Sequence, residues 1–229
     1  MKIVKIFFVF FLVTTSLFSQ EHFTGISTSK RGGLLNATNN PAELVNMSSK
    51  FEVNAFNFSI GMANNKLTFS DLVSGDNLED KIFEGNKAVN LRLDSQILGP
   101  SFAFKYQKWG FGITSVANMK ANVINLDSKL GDAIQNGELS NIFSQTVISS
   151  NDNQRLNATT WGELNLTIAR NLIELPKHKL NVGTNLRLLF PGAYANFSAT
   201  NLNGTIVNNF GDISLVNASA NINISYAGV

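Results

Sequence analysis

The chain has 229 residues, a formal net charge of +2 and no cysteine, so disulfides and a lipid-modified cysteine are excluded. Lys2 and Lys5 account for the net charge, which leaves no basic surface of the kind that nucleic acids bind. Charged residues make up 15% of the chain, and only its first segment contains a long apolar run. A bundle of membrane-spanning helices is therefore excluded as well.

Residues 1–19 have the three parts of a secretory signal peptide. Two lysines supply positive charge, Ile6 to Val13 is uninterrupted apolar sequence, and small and polar residues follow as far as Ser19. A membrane anchor is the alternative, but the apolar run is shorter than the ~20 residues that a spanning helix needs. We expect cleavage after Ser19.

Residues 20–50 are rich in Gly, Ser and Asn and precede the first strand pattern, so we expect them to form a separate N-terminal segment. Pro41 suits the first turn of a short helix that reaches Met47, and Asn40 suits its N-cap.

From residue 51 to residue 229 apolar and polar residues alternate, which predicts β-strands with one apolar and one polar face. The first strand covers residues 51–62, and a change of phase predicts a bulge near Ala55. A long polar connection is expected through residues 71–86.

A hairpin is predicted next, with a slip of phase around Gly99 and Pro100 and a two-residue turn at Gln107 and Lys108. This turn would pair apolar residues on one face: Tyr106 with Trp109, Phe104 with Phe111, and Phe102 with Ile113.

The second half continues in the same way. Leu126, Leu130 and Ile134 keep helical spacing and predict a loop helix within residues 125–145, as a lid, a partner surface or a cover over the barrel mouth. Three more strands are expected around Leu164 to Ile168, from Leu180 to Thr200, and from Val216 to Tyr226, with a turn at residues 174–178 and a connection at residues 201–212.

About six strands joined by alternately long and short connections are typical of part of an all-β, antiparallel transmembrane β-barrel. Tyr106 and Trp109 lie at a short turn, where an interfacial aromatic girdle is expected. Lipid is expected to cover a row of apolar residues: Phe102, Phe111, Leu166, Leu186 and Ile222. Because such a barrel needs about eight strands to close, we expect a longer protein or a barrel completed by assembly.

The polar faces carry the predicted lumen-facing residues: Arg92, Asp94, Lys105, Glu163, Asn165, Asn185 and Arg187. Glu163 and Arg187 fall on neighbouring strands. They would belong to a selectivity ring, contact a ligand, or form a charge pair that braces the lumen. We predict no catalytic, cofactor or metal site, because the histidines His22 and His178 lie outside the strand patterns and no nucleophile or phosphate-loop motif is present.

Several motifs in order resemble a family of uncharacterised Bacteroidota outer-membrane barrels: residues 25–27, Asn40-Pro41-Ala42, residues 50–54, residues 99–102, residues 161–163 and residues 177–183. Asn40, Pro41 and Ala42 are also similar to an element of long-chain fatty-acid transporter barrels, where the N-terminal segment plugs the lumen. The resemblance implies a plug role for these three residues, a periplasmic, plug-like segment at residues 20–50, and a longer protein.

The sequence favours a non-enzymatic protein of the outer membrane, with lipid around it and no cofactor. It would take up small or hydrophobic molecules or serve as a structural surface protein. The alternatives are a scaffold barrel for secretion, whose loops bind protein partners, and a secreted soluble β-sandwich adhesin.

Overall fold

The computed structural model describes residues 22, 23, 25, 33–137, 144–209 and 212–228. The predicted signal peptide lies outside these residues. In the described part, four short α-helices, one 3₁₀ helix and eight strands follow one another. The helices are α1 (Gly33–Asn39), the 3₁₀ helix (Pro41–Asn46), α2 (Phe69–Ser74), α3 (Leu78–Phe83) and α4 (Ser128–Gly137). The strands are β1 (Phe51–Asn54), β2 (Asn57–Asn64), β3 (Val89–Tyr106), β4 (Trp109–Leu126), β5 (Ser144–Ser150), β6 (Gln154–Leu175), β7 (His178–Asn209) and β8 (Asp212–Ala227).

All eight strands belong to one antiparallel sheet. β1 and β2 pair one after the other with β3, and the order continues β3, β4, β6, β7. β5 and β6 pair with the same edge of β7, and β8 pairs with residues 194–209 on its other edge. The sheet is open among the described residues, because the β1–β2 edge and the β8 edge pair with no further strand.

The long hairpins follow from alternation and tight turns. In the β3–β4 hairpin, Tyr106 pairs with Trp109, Phe104 with Phe111 and Phe102 with Ile113, which confirms the predicted register. Gln107 adopts a φ of 53°, as the turn requires. The register shift between Leu98 and Ser101 confirms the predicted slip of phase, and the break between β1 and β2 lies at the predicted bulge.

Several sequence predictions were wrong. Residues 201–209 belong to β7 and are not a connection, because Leu202 and Ile206 pack against Ile148 of β5. β5 itself was not predicted. The polar connection predicted through residues 71–86 does join β2 to β3, and it contains α2 and α3. The predicted loop helix is present as α4, but residue 126 belongs to β4 and residues 144 and 145 belong to β5. The regular alternation predicted from Val216 onward is interrupted at Asn217, where φ is 50° and the β7–β8 register shifts.

The loop helices are held together at one end of the sheet. Asp71 caps α2 together with Thr68 and lies 2.6 Å from the Lys81 ammonium of α3. The Lys81 hydrogen bond, aided by Thr68, lowers the pKa of Asp71, and the same hydrogen bond raises the pKa of Lys81. The Ser128 hydroxyl of α4 donates to the Gly85 carbonyl at 2.6 Å. Leu130 of α4 packs on the apolar cluster around Ile148.

The sheet has two chemically different faces. We call the polar face the one that carries Glu163, Asn165 and Arg187, and the apolar face the one that carries Phe102, Leu166 and Leu186. The large side chains of the apolar face remain substantially exposed: Phe102 is 39% exposed, Leu166 40% and Leu186 59%. The larger of the two buried clusters described instead lies on the polar face, where it includes Ala103 and Ala169.

Candidate functional site

The candidate site is the polar face and the segment that covers it, residues 33–50, which we call the N-terminal segment. Leu44 is fully buried, and Leu34, Val45 and Met47 are at most 8% exposed. These side chains form one apolar cluster with Ala37 of the segment and with Ala103 and Ala169 of the sheet. A helical segment that cannot fold alone is thus held by packing against the sheet.

The sheet has no side chains where the segment approaches most closely. A Cβ atom on Gly183 would lie 2.6 Å from the Ala42 nitrogen. A Cβ atom on Gly110 would lie 3.1 Å from the Leu44 carbonyl, and one on Gly112 would lie 3.2 Å from its side chain. The three glycines lie on β4 and β7, and they form the surface on which Leu44 and the Pro41–Ala42 turn rest.

The predicted plug-like motif is placed at this contact. Asn40 is the N-cap of the 3₁₀ helix, and its side chain accepts a hydrogen bond from the Ala42 amide at 3.2 Å. Pro41 occupies the first turn, as predicted. The cap sets the direction in which the chain enters the helix, so Pro41 and Ala42 meet Gly183.

Charged side chains of the sheet bind the ends of the segment. The Glu52 carboxylate accepts a hydrogen bond from the Leu34 amide at 2.7 Å, in the first turn of α1. The Lys105 ammonium donates to the carbonyl of Met47, just after the 3₁₀ helix. The first N–H groups and the last carbonyls of a helix have no partner within the helix. A carboxylate at the beginning of α1 and an ammonium at the end of the 3₁₀ helix therefore each have the sign that the helix end favours.

Two further polar contacts join the segment to the sheet. Arg187 donates from Nη2 to the Thr38 carbonyl at 3.5 Å. Asn181 donates to the Asn46 side chain at 3.1 Å. Both partners on the sheet belong to β7, so β7 contacts the segment with a glycine, an amide and a guanidinium group.

A chain of hydrogen bonds crosses β3, β4 and β6 beside the segment, and an ion pair extends it to β7. Gln96 donates to Asn118 at 2.9 Å, and Asn118 donates to Glu163 Oε1 at 3.1 Å. The same oxygen accepts from the Trp161 indole at 2.9 Å. Glu163 Oε2 lies 4.0 Å from the Arg187 guanidinium, so the predicted neighbours do lie close together, on diagonal positions of β6 and β7.

The remaining predicted lumen residues lie on the same face but outside this chain of bonds. Arg92 and Asp94 pair with each other at 2.6 Å on β3. Asn185 accepts from the Thr167 hydroxyl at 3.3 Å, and Asn165 is 5% exposed. The structure therefore brings together Lys105, Glu163 and Arg187 around the N-terminal segment, and it leaves the Arg92–Asp94 pair apart.

Tyr106 and Trp109, predicted as part of an aromatic girdle, flank the tight turn of the β3–β4 hairpin and are 64% and 37% exposed. The Arg170 guanidinium lies 4.8 Å from the centre of the Trp109 ring. This end of the apolar face thus combines aromatic rings with a cation.

Several site residues were missed from the sequence. Glu52 was passed over because it lies in a short strand whose phase differs from that of β2. Trp161 and Asn118 stay in phase with Glu163 along their strands, so strict alternation could have placed them on the polar face. Nothing in the local pattern of Leu44 distinguishes it from an ordinary helix residue, because its burial depends on glycines more than 60 residues away.

Neither histidine takes part in the contacts described above. The ring of His22 shares a 2.9 Å hydrogen bond with the Ser59 hydroxyl, and His178 follows the β6–β7 turn. Among the described residues, no group of three His, Cys, Asp or Glu side chains could hold a metal ion. No helix in the described ranges is long and apolar enough to cross a membrane.

Comparison with known proteins gives one match. The model of a family of unknown function, DUF5723, matches residues 41–229, which include the 3₁₀ helix and every strand of the sheet. No curated protein matches the chain. No solved structure matches it. Because the match covers most of the sequence, the chain belongs to the family of unknown function DUF5723.

Proposed function

We propose that this chain forms the wall and the internal plug of a non-enzymatic β-barrel in the outer membrane, which admits small or hydrophobic molecules. The observation that carries the proposal is an asymmetry between the two faces of the sheet. The N-terminal segment covers the polar face, whereas no described segment covers the apolar face.

The apolar face supports a lipid-facing wall. Large side chains from all four central strands are exposed on it, among them Phe102, Ile113, Leu166 and Leu186. A soluble protein rarely leaves so large an apolar surface in contact with water. Hydrocarbon would cover it without any further protein layer.

The polar face supports a plugged lumen. A plug must fit the wall closely and still be able to separate from it. The contact here consists of glycines, one buried leucine and a few charged hydrogen bonds. The Arg92–Asp94 pair and the Asn122–Asn157 amide pair lie on the uncovered remainder of the polar face, where water and polar solutes would pass.

Barrel closure is part of the proposal. Closure would bring a pairing partner to the β1–β2 edge and to β7 and β8 on the other side. On that side, residues 178–193 of β7 pair only with β6 in the described structure, so a long edge is available for main-chain hydrogen bonds.

Conductance across a planar bilayer tests the proposal. The intact protein should conduct little, and deletion of residues 33–50 should produce stepwise, larger currents because the lumen is no longer filled. Deletion of α2 is the matched control and should leave the conductance low. Membrane fractionation and heat-dependent gel migration come first. A protein found only in the soluble fraction would reject the proposal and favour the soluble adhesin.

A scaffold function is the second candidate, and the loop helices favour it. Phe69 and Val73, one turn apart on α2, are 82% and 70% exposed, which suits binding of a protein partner. A scaffold barrel should stay closed in the conductance assay even after residues 33–50 are deleted. Replacing Phe69 and Val73 by Ser should then abolish partner binding and leave membrane insertion intact.

A further inference from the structure

The charged side chains beside the N-terminal segment compensate one another. Glu52 and Lys105 bind main-chain groups of the segment with their carboxylate and ammonium groups. The carboxylate of Glu163 lies 4.0 Å from the guanidinium group of Arg187. Two carboxylates and two cations thus leave the covered part of the polar face without net charge, and each of the four has a partner.

The part of the polar face nearer the loop helices has an excess of positive charge. It consists of the polar-face residues within 92–96 of β3, 118–124 of β4 and 155–161 of β6, which we call the open patch. Each of the three strands provides one cation: Arg92, Lys120 and Arg155. Asp94 is the one carboxylate of the open patch, and it accepts a hydrogen bond from Arg92 at 2.6 Å. Three cations against one carboxylate leave a net charge of +2.

The two remaining cations lack a partner of opposite charge. The Lys120 ammonium lies 5.6 Å from the centre of the Trp161 ring, and no described residue forms an ion pair with it. The Nε of Arg155 is shielded from water and has no hydrogen-bond partner among the described residues. Because a shielded N–H group without a partner costs free energy, Arg155 lacks an acceptor that a ligand could supply.

Uncharged polar and aromatic groups surround these two cations. The side chains of Asn122 and Asn157 share a 2.8 Å hydrogen bond between them, and Asn196 continues the same row on β7. The ring of Trp161 lies on one side of the row, and Tyr194, which is 41% exposed, lies two residues from Asn196. The amides can bind oxygen atoms of a solute, and the rings can contact its carbon atoms.

Charge determines which solutes this surface favours. A wall with an excess of one sign of charge concentrates solutes of the opposite sign, and rings of Arg and Lys line pores that select anions. A cationic solute would be repelled, and a neutral one would gain nothing from the ammonium or the guanidinium group.

We infer that the open patch binds small organic anions, and that Lys120 and Arg155 attract their acidic group. Lys120 pairs with Thr159, four residues from Arg155 on β6, so the two positions are about 13 Å apart along the strand and both long side chains can reach one solute. The inference rests on the proposed function, because a solute would reach this face through the lumen. It narrows the small molecules of that proposal to anions.

Fluorescence of Trp161 tests the inference in the full chain, purified from its membrane. The chain has two tryptophans, so Trp109→Phe leaves Trp161 as the reporter. The probes are 4-nitrobenzoate and 4-nitrobenzyl alcohol, which carry the same quenching ring with and without a negative charge. We expect half-maximal quenching at an about tenfold lower concentration of nitrobenzoate, which corresponds to about threefold from each of two exposed charge contacts.

Lys120→Gln and Arg155→Gln, each made in the Trp109→Phe protein, identify the groups responsible. Each should raise the half-quenching concentration of nitrobenzoate about threefold and leave that of the alcohol unchanged. Lys179→Gln is the matched control, because it removes the same charge at the β6–β7 turn, far from Trp161, and it should change neither value.

Two results would overturn the anion preference and leave the barrel proposal standing. One is equal quenching by the two probes in the Trp109→Phe protein. The other is an equal effect of Lys120→Gln, Arg155→Gln and Lys179→Gln, because the net charge of the protein and not the open patch would then attract the probe. A protein absent from the membrane fraction would instead reject the barrel proposal itself.

Discussion

Truncation of Leu44 is the sharpest perturbation of the docked N-terminal segment. Leu44 is fully buried, and its neighbours on the sheet are Gly110 and Gly112, which lie within paired strands. Leu44→Ala should leave a cavity, because the strands cannot move inward independently to fill it.

The expected cost follows from that rigidity. Buried Leu→Ala substitutions cost about 2–5 kcal/mol, and the cost rises with the size of the cavity that remains. In the undocked state Leu44 would be in water, so this cost falls almost entirely on docking. With about 3 kcal/mol for a site that collapses poorly, the ratio of docked to undocked segment should fall about a hundredfold.

Hydrogen exchange of backbone amides measures this ratio directly. The amides of Leu34 and Glu43 are hydrogen-bonded only while the segment keeps its docked fold, to the Glu52 carboxylate and the Asn40 carbonyl. Their exchange should become about a hundred times faster in Leu44→Ala. Leu186→Ala is the matched control, because it removes the same atoms from an exposed position on the apolar face.

Two results would refute the reasoning. Unchanged exchange at Leu34 and Glu43 would mean that Leu44 does not hold the segment. Equally faster exchange in the β3–β4 hairpin would mean that the segment and the sheet unfold together, so the segment could not act as a separable plug.

The remaining predictions concern the contacts around the segment and the loops. Gly183→Ala should loosen the segment, because its Cβ atom would lie 2.6 Å from the Ala42 nitrogen. Gly61→Ala on the same face is the control and should not loosen it, since its nearest neighbour would be 4.0 Å away. Hydrogen exchange of the Glu43 amide should therefore be faster in the first variant and unchanged in the second. Glu163→Gln should shift the midpoint of urea unfolding little, since an ion pair with the half-exposed Arg187 contributes at most about 1 kcal/mol. Glu163→Ala should lower the free energy of unfolding by about 1–3 kcal/mol, because Trp161 and Asn118 lose their acceptor. Equal shifts in the two variants would contradict this reasoning. Because the pKa of Asp71 is lowered in the folded state, its bond to Lys81 stabilises the loop helices at any pH above the ordinary Asp pKa of 3.8. This stabilisation is lost as the pH falls from 3.8 towards the lower pKa of the folded state. Exchange in α2 should therefore be constant from pH 7 to about 4 after correction for the intrinsic rate, and an earlier loss, or no change in Asp71→Asn, would contradict that assignment.

Local patterns were sufficient to predict the parts of the fold in which neighbours in sequence are neighbours in space. The β3–β4 register follows from one turn and the alternation on either side of it, so all three predicted pairs were confirmed. Asn40 and Pro41 likewise determine their cap within three residues.

Contacts between distant residues could not be predicted in this way. Residues 201–209 are polar enough to suggest a loop, yet Leu202 and Ile206 are buried because β5 lies beside them. The predicted proximity of Glu163 and Arg187 was correct because the β6–β7 turn joins their strands directly. The docking of Leu44 onto Gly110 and Gly112 had no such local cue, since small residues on a strand also suit a bulge or an empty lumen.

The most direct test of the account is the environment of the apolar face in the native membrane fraction. The chain has no cysteine, so a single nitroxide label can be placed without background at Leu166, Leu186 or Ile222, and at Asn185 on the polar face. The account predicts that labels on the first three positions collide freely with oxygen dissolved in lipid and little with a water-soluble nickel chelate, and that the label at Asn185 collides little with oxygen. Labels at Leu166, Leu186 and Ile222 that are shielded from both reagents would contradict it, because protein and not lipid would then cover this face.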